Sequence, residues 1–319
     1  MRNFSDYLFD RIDELNNPTV MGLDPLLSYV PEPILDKWRK KSGDPKVNGA
    51  SAILEFNCGL IDAVCDIVPA VKPQFAYYEL YGVAGIQALK ETVDYAKSKG
   101  MVVIADAKRN DIGSTAAAYA DAILGSTTHL DGKKYSGIDA DAVTVNAYLG
   151  IDGIEPFCKV AKERGKGLFI LVRTSNPSAG DFQDLLLEDG TPLYENVARK
   201  VEEWGSELIG AHGYSSIGAV VGATWPEQAG KLRRDILRHS PILVPGYGTQ
   251  GGSGAAAAVN FDRNGKGAIV NASRSLMCAY QKCPDLSQND YAIATRNEAI
   301  RMRDDLRLAI KNKILAENV

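Results

Sequence analysis

Val102-Val103-Ile104-Ala105-Asp106-Ala107-Lys108-Arg109-Asn110-Asp111-Ile112 is an apolar run that ends in two carboxylates bracketing a lysine. Successive side chains on a strand point to opposite faces, so a strand here places Asp106 and Lys108 on one face, with Asp111 on the turn that follows. Buried charge is costly unless paired. The end of this strand is therefore a candidate site, with a structural ion pair as the plainer alternative.

Similar β-rich runs recur on both sides of this one, at 19–23, 70–72, 101–105, 142–146, 168–173, 217–222, 242–245 and 268–271. Each is followed by polar or glycine-rich residues and then a helix-like stretch, such as residues 84–96 before Gly100. Near-continuous apolar strands separated by helices imply a parallel sheet covered on both faces. Eight such units in a chain of 319 residues imply a (β/α)8 TIM barrel, with a doubly wound open sheet as the competitor. The second strand is the least regular, because Pro69 and Pro73 flank it. Residues 28–49, 125–137 and 178–193 are rich in Pro, Gly, Ser and charge and read as surface insertions. The chain, 1–319, reads as a single domain.

Charge is nearly balanced, 36 basic against 40 acidic residues, so a nucleic-acid surface is not expected. Five scattered cysteines and three histidines make no zinc-like spacing, and reduced thiols in a cytoplasmic protein are the expectation. No export signal or membrane span is visible. The chain also lacks a Walker-type loop, a GxGxxG opening a helix after its first strand, and a GxSxG elbow around Ser175. His212 and His239 fall away from the strand ends and read as surface or core residues.

In a barrel the C-terminal ends of the strands form one rim, so residues distant in sequence meet there. The polar residues after each run are Asp24, Lys72, the Asp106/Lys108/Asp111 group, Asn146, Thr174 and Ser175, Thr224, Gln250, and Ser273 with Arg274. The last two loops, Pro245-Gly246-Tyr247-Gly248-Thr249-Gln250-Gly251-Gly252-Ser253-Gly254 and Asn271-Ala272-Ser273-Arg274-Ser275, suit a phosphate. Glycine lets backbone N–H groups approach an anion, and Arg274 offers a charge-assisted contact. A phosphorylated substrate is the expectation. Residues 250–258, glycine-rich and then alanine-rich, are a candidate mobile lid over it, or a loop running into a rigid helix. A lysine already set between the carboxylates favours a site without metal.

The string Asp106-Ala107-Lys108-Arg109-Asn110-Asp111-Ile112-Gly113-Ser114-Thr115 resembles the DxKxxDI signature of the orotidine 5'-monophosphate decarboxylase family. The likeness continues in order through Gly22-Leu23-Asp24-Pro25, Val71-Lys72-Pro73-Gln74, Arg173-Thr174-Ser175-Asn176-Pro177, and the two phosphate-loop segments. Length and the Arg-Asn inside the signature look most like the longer bacterial (type 2) branch. The resemblance implies cofactor-free conversion of orotidine 5'-phosphate to UMP and CO2, in pyrimidine biosynthesis, by a homodimer with composite sites. It implies Lys108 as the acid that protonates the pyrimidine carbon and Asp106 beside the departing carboxylate. Lys72 would tie the charges together, and Asp111 would reach in from the partner subunit. It implies ribose contacts from Asp24 and from the partner's Thr115, a ring contact from Ser175, and a phosphate grip from Gln250, Arg274 and Ser273. Two rivals remain at this point: a metal-dependent aldolase or decarboxylase on the same scaffold, and a catalytically silent barrel that binds a phosphorylated metabolite.

Overall fold

The computed structural model describes residues 2–248 and 251–317. Eight parallel strands close into a barrel in chain order: β1 (Thr19–Leu23), β2 (Ala70–Pro73), β3 (Val102–Arg109), β4 (Ala142–Val145), β5 (Gly167–Arg173), β6 (Ile217–Val221), β7 (Ile242–Val244) and β8 (Ala268–Ala272). β1 pairs with both β2 and β8, which excludes an open sheet. Every expected run supplies a strand, including the proline-flanked second one. Pro73 is tolerated there because it stands at the strand's last position.

Alternation along these strands makes two layers inside the barrel. Val20, Ala70, Ile104, Ala142, Phe169 and Ile269 point inward and join one apolar cluster with Val102, Val220 and Leu243. Two residues further along, the same inward face presents Lys72, Asp106, Thr144, Leu171 and Asn271, all of which line the cavity at the barrel's C-terminal mouth. The lower layer is hydrocarbon. The upper layer is mostly polar.

Helix α1 (Phe4–Leu15), which the sequence reading did not anticipate, closes the opposite end of the barrel. Asn3 caps it, accepting from the Ser5 N–H at 2.8 Å, and Asn16 ends it in a left-handed conformation. Phe4 and Leu8 are buried against the inward cluster, with Phe4 edge-on to Phe169 at 6.0 Å between ring centres. A side chain at Gly167 would collide with the Phe4 ring, since its Cβ would lie 2.1 Å from Cδ1.

Amphipathic helices wrap the outside, among them Pro45–Val64 and Gly82–Ser98, with Gly100 in the left-handed region just past the end of the latter. The stretch 28–49 is less of a loop than expected. It contains helix Glu32–Arg39 and the first turn of Pro45–Val64, the latter capped by Asp44 with proline at its first position. Residues 125–137 do form an exposed hairpin, and 178–193 hold one short helix, Gly180–Gln183. The alanines of the proposed lid form helix Gly254–Ala258, capped by Ser253, with Gly254, Ala257 and Ala258 buried. That half of the segment takes the helical form that stood as the alternative: alanine has the highest helix propensity, and the segment packs against a long C-terminal helix, Tyr291–Glu317. Gln250, the other half, lies outside the described residues. No described helix is long and apolar enough to cross a membrane.

Phe4→Ala should destabilise the fold by about 3–5 kcal/mol, because it empties a fully buried ring site in the barrel floor. Chemical denaturation followed by circular dichroism measures this, and a loss under about 1 kcal/mol would mean that the floor does not depend on α1.

Candidate active site

Asp106 is the hub of the mouth. Its Oδ2 accepts from Lys72 Nζ at 2.6 Å and from Gln74 Nε2 at 3.1 Å. Its Oδ1 accepts from Lys108 Nζ at 2.5 Å and from Thr144 Oγ1 at 2.8 Å. Lys72 and Asp106 are almost fully buried, whereas the Lys108 side chain is 45% exposed at the cavity surface. One ammonium is therefore part of the wall. The other faces the space where a ligand would sit.

Electrostatics follow from this geometry. Burial works against ionisation of Asp106, but the charges of Lys72 and Lys108 outweigh it and hold the carboxyl well below the usual carboxylate range. For Lys72 burial likewise opposes charge, and Asp106, then Asp24, overcome it and raise its pKa. Both groups of the buried pair stay charged at neutral pH.

Lys108 does not reach Asp106 by simple alternation. The β3–β4 register shifts between Ala105 and Arg109, and Lys108 has φ +47°, a left-handed conformation that costs a non-glycine residue about 1–2 kcal/mol. The Lys108 N–H donates to Thr144 Oγ1 at 3.0 Å, so the same hydroxyl ties down the bulge and the carboxylate. Thr144 was not among the expected site residues. Its signal was present as the one polar residue within Ala142-Val143-Thr144-Val145.

The cavity above Asp106 measures about 630 Å³. Asp24, Lys72, Asp106, Lys108, Ser175, Ser273 and Arg274 all line it, together with Gln74, Tyr77 and Asn176. Arg274 opens the loop after β8 with an exposed guanidinium that makes no ion pair among the described residues. Asp24 Oδ1 and Asn271 Oδ1 are buried acceptors without a hydrogen-bond partner among the described residues, both at the cavity wall, where a ligand's donors could meet them. Gly22 permits the approach of the last loop, because a Cβ there would lie 1.9 Å from Ser273 Oγ. Gly222 does the same for Ser175, whose Cβ would be 2.8 Å away.

Two expected residues, Asp111 and Thr115, do not line this cavity. Asp111 stands past the end of β3, half-buried, and Thr115 is exposed in the first turn of helix Gly113–Ile123. Gln250 lies outside the described residues. Of the residues left without a role, Tyr247 lines the cavity, and Thr224 Oγ1 donates to the Ser175 carbonyl at 3.3 Å. Asn146 accepts from the Tyr148 N–H at 3.0 Å and faces a neighbouring hollow instead. Both candidate histidines are remote, His212 beside Asp10 and His239 beside Glu202.

A barrel whose mouth joins a fixed ammonium–carboxylate array to an unpaired arginine defines a (β/α)8 enzyme for an anionic substrate. Comparison with known proteins narrows the class. A family model for the orotidine 5'-phosphate decarboxylase / HUMPS family matches residues 50–282. Orotidine 5'-phosphate decarboxylase of Rhodopirellula baltica is 43% identical over 310 residues, covering 96% of this chain and all of the relative. The enzyme of the same name from Clostridium tetani is 41% identical over 308 residues, covering 97% and 99%. Among solved structures, one from Streptomyces avermitilis superposes with a TM-score of 0.76 at 32% identity, covering 98% of this chain and 97% of that one. Leishmania donovani OMP decarboxylase gives 0.71 at 28%, covering 97% and 98%. The chain belongs to the orotidine 5'-phosphate decarboxylase / HUMPS family.

Asp106→Asn removes the counter-charge from a buried lysine and should cost about 3–5 kcal/mol at pH 7. The folded carboxyl binds its proton less readily than the unfolded one, so its contribution is complete above the unfolded pKa of about 3.9 and is lost as the pH falls below it. The gap between wild type and variant should therefore narrow below about pH 4. Urea titrations at a series of pH values test this, and a gap independent of pH would be incompatible with an ionised Asp106.

Proposed function

We propose that this protein decarboxylates orotidine 5'-phosphate to UMP and CO2 in pyrimidine biosynthesis, without a cofactor, as a cytoplasmic homodimer of single-domain subunits. The observation that carries the reading is the Asp106 carboxylate held between Lys72 and Lys108, with the free Arg274 in a facing loop of the same cavity. Family membership and relatives aligned over nearly their whole length support it.

Loss of CO2 from the pyrimidine ring breaks the bond between C6 and the carboxyl carbon and leaves the electron pair on C6. No adjacent carbonyl can delocalise that pair, so the enzyme must stabilise localised charge where it forms. Lys108, the exposed ammonium of the array, donates its proton to C6 and afterwards recovers one from solvent. Asp106, kept ionised by its neighbours, faces the substrate carboxylate and repels it. That repulsion is relieved as neutral CO2 departs. Lys72 keeps Asp106 charged and fixed. Ser175 meets the ring and Asp24 a ribose hydroxyl, while Arg274, Ser273 and Gln250 hold the phosphate. Asp111 of the partner subunit completes the charge array, and the partner's Thr115 the ribose contacts, in accord with their positions outside their own protomer's cavity. Phosphate binding, far from the reacting carbon, supplies free energy that orders the site and so raises turnover.

Incubation with orotidine 5'-phosphate in the presence of a chelator should deplete the orotate absorbance. Inhibition by the chelator, reversed by magnesium, would favour a metal-dependent enzyme instead. Lys108→Ala should lower kcat by at least about a thousandfold, the upper range for a positioned general acid. Arg274→Ala should raise KM roughly ten- to hundredfold with a smaller change in kcat, as befits a charge-assisted phosphate contact. Near-normal turnover in Lys108→Ala would remove the proton-donor role.

The composite site has its own test. Asp111→Ala and Lys108→Ala should each be inactive alone, and mixing them under subunit exchange should restore part of the activity, since mixed dimers carry one intact site. No recovery, with mixed dimers demonstrated by native mass spectrometry, would confine the site to one subunit.

A further inference from the structure

The glycine-rich loop after β7 is held from outside the barrel. Tyr247 lies between Gly246 and Gly248, with φ of +98° and +78°, so its two neighbours have no side chain to anchor the backbone. The turn closes on itself through Gly252 N–H to the Gly246 carbonyl at 3.0 Å and Gly248 N–H to the Gly252 carbonyl at 2.8 Å. Tyr247 itself is 5% exposed, lines the cavity, and donates its hydroxyl to Asp305 Oδ2 at 2.7 Å. Burial, with the Asp305 hydrogen bond, pushes the Tyr247 pKa up to about 12, so the phenol remains a donor at neutral pH.

Asp305 belongs to the C-terminal helix Tyr291–Glu317, beyond the 50–282 span of the family match. It touches the far end of the same loop too: a Cβ on Gly254 would lie 2.6 Å from Asp305 Oδ2. One carboxylate thus contacts both ends of the loop, Tyr247 and Gly254. Gly248 packs toward the other phosphate loop, its Cβ position 3.7 Å from Ser275 Oγ, next to Arg274.

We propose that Asp305 is a positioning residue for the phosphate end of the substrate, fixing the glycine-rich loop against the Arg274 loop through the Tyr247 hydroxyl. The inference rests on the phosphate-grip reading above and extends it to a helix remote from the reacting carbon. An anion gripped between this loop and Arg274 is held only while the two loops keep their spacing. With glycines on both sides, Tyr247 is a side chain through which a fixed position passes to the described ends of the loop.

The test compares Tyr247→Phe, Asp305→Ala and Asp305→Asn on orotidine 5'-phosphate and on orotidine, which lacks the phosphate. Tyr247→Phe and Asp305→Ala should each raise KM for the phosphorylated substrate about five- to tenfold, the worth of one hydrogen bond, and change kcat by less than about twofold. Their kcat/KM on orotidine should match wild type, and the double variant should be no worse than either single one. Asp305→Asn, whose amide oxygen still accepts, should stay closer to wild type. Unchanged KM, additive effects, or equal losses on both substrates would overturn the proposal, the last because a general packing defect does not distinguish them. If the wild-type protein fails to decarboxylate orotidine 5'-phosphate, the functional reading falls separately. Calorimetric titration with inorganic phosphate then decides the positioning role: five- to tenfold weaker binding by Tyr247→Phe supports it, and equal binding or none by either protein overturns it.

Discussion

The Asp106 carboxylate sits on a buried, inward strand position just above the barrel's apolar layer, where an unpaired ion would cost several kcal/mol, and it is tolerable there because four donors from three strands and their ends converge on it. Lys72 and Gln74 come from the end of β2, Lys108 from β3 itself, and Thr144 from β4. Each strand must hold its register against the next for those donors to arrive. The cluster therefore constrains the barrel as much as the barrel constrains the cluster. A one-residue slip of β2 would turn Lys72 outward, away from the interior.

The cost of that polar layer is offset by the layer beneath it. Val20, Ile104, Phe169 and Ile269 fill the lower barrel, and α1 seals them from water with Phe4 and Leu8. A closed, dry floor keeps the dielectric low under Asp106, which strengthens its attraction to Lys72 and Lys108. The left-handed Lys108 fits the same arrangement. Strain of about 1–2 kcal/mol at one residue persists only where surrounding contacts over-determine it, and the Thr144 hydroxyl supplies a contact to both its backbone and the carboxylate it serves.

Much of this was legible in the residues. The eight apolar runs announced the barrel because parallel strands buried on both faces leave near-continuous hydrophobic stretches. Lys72, Asp106, Lys108 and Arg274 stood out because charge at a strand's end has few structural explanations. Helix α1 was missed because its amphipathic pattern looks like that of any outer helix, and nothing local says that Phe4 will enter a barrel. The bulge at Lys108 was missed for a related reason. Alternation predicts the correct face for Asp106 and Lys108, while the left-handed turn that delivers Lys108 is decided by pairing with β4, thirty-odd residues away. Tyr247 was visible only as a residue between glycines, since its partner Asp305 lies on a helix whose sequence carries no motif.

Charge at the mouth has a spatial order that bears on how such a site would work. Lys72, Lys108 and Arg274 share the described cavity with Asp24 and Asp106, so its cations exceed its carboxylates by a single unit. In the composite site proposed above, Asp111 of the partner subunit would bring the two signs into balance. A substrate bearing both a carboxylate and a phosphate is then not drawn in by net charge at the reacting end, where Asp106 opposes it. On the reading proposed above, its affinity comes from Arg274 and the loops after β7 and β8. That reading assigns attraction to Arg274 and repulsion to Asp106, two groups of one cavity. Binding free energy gained at the phosphate can hold a carboxylate against a like charge only if the distance between those groups does not relax, so the proposed mechanism requires the loops after β7 and β8 to keep their positions.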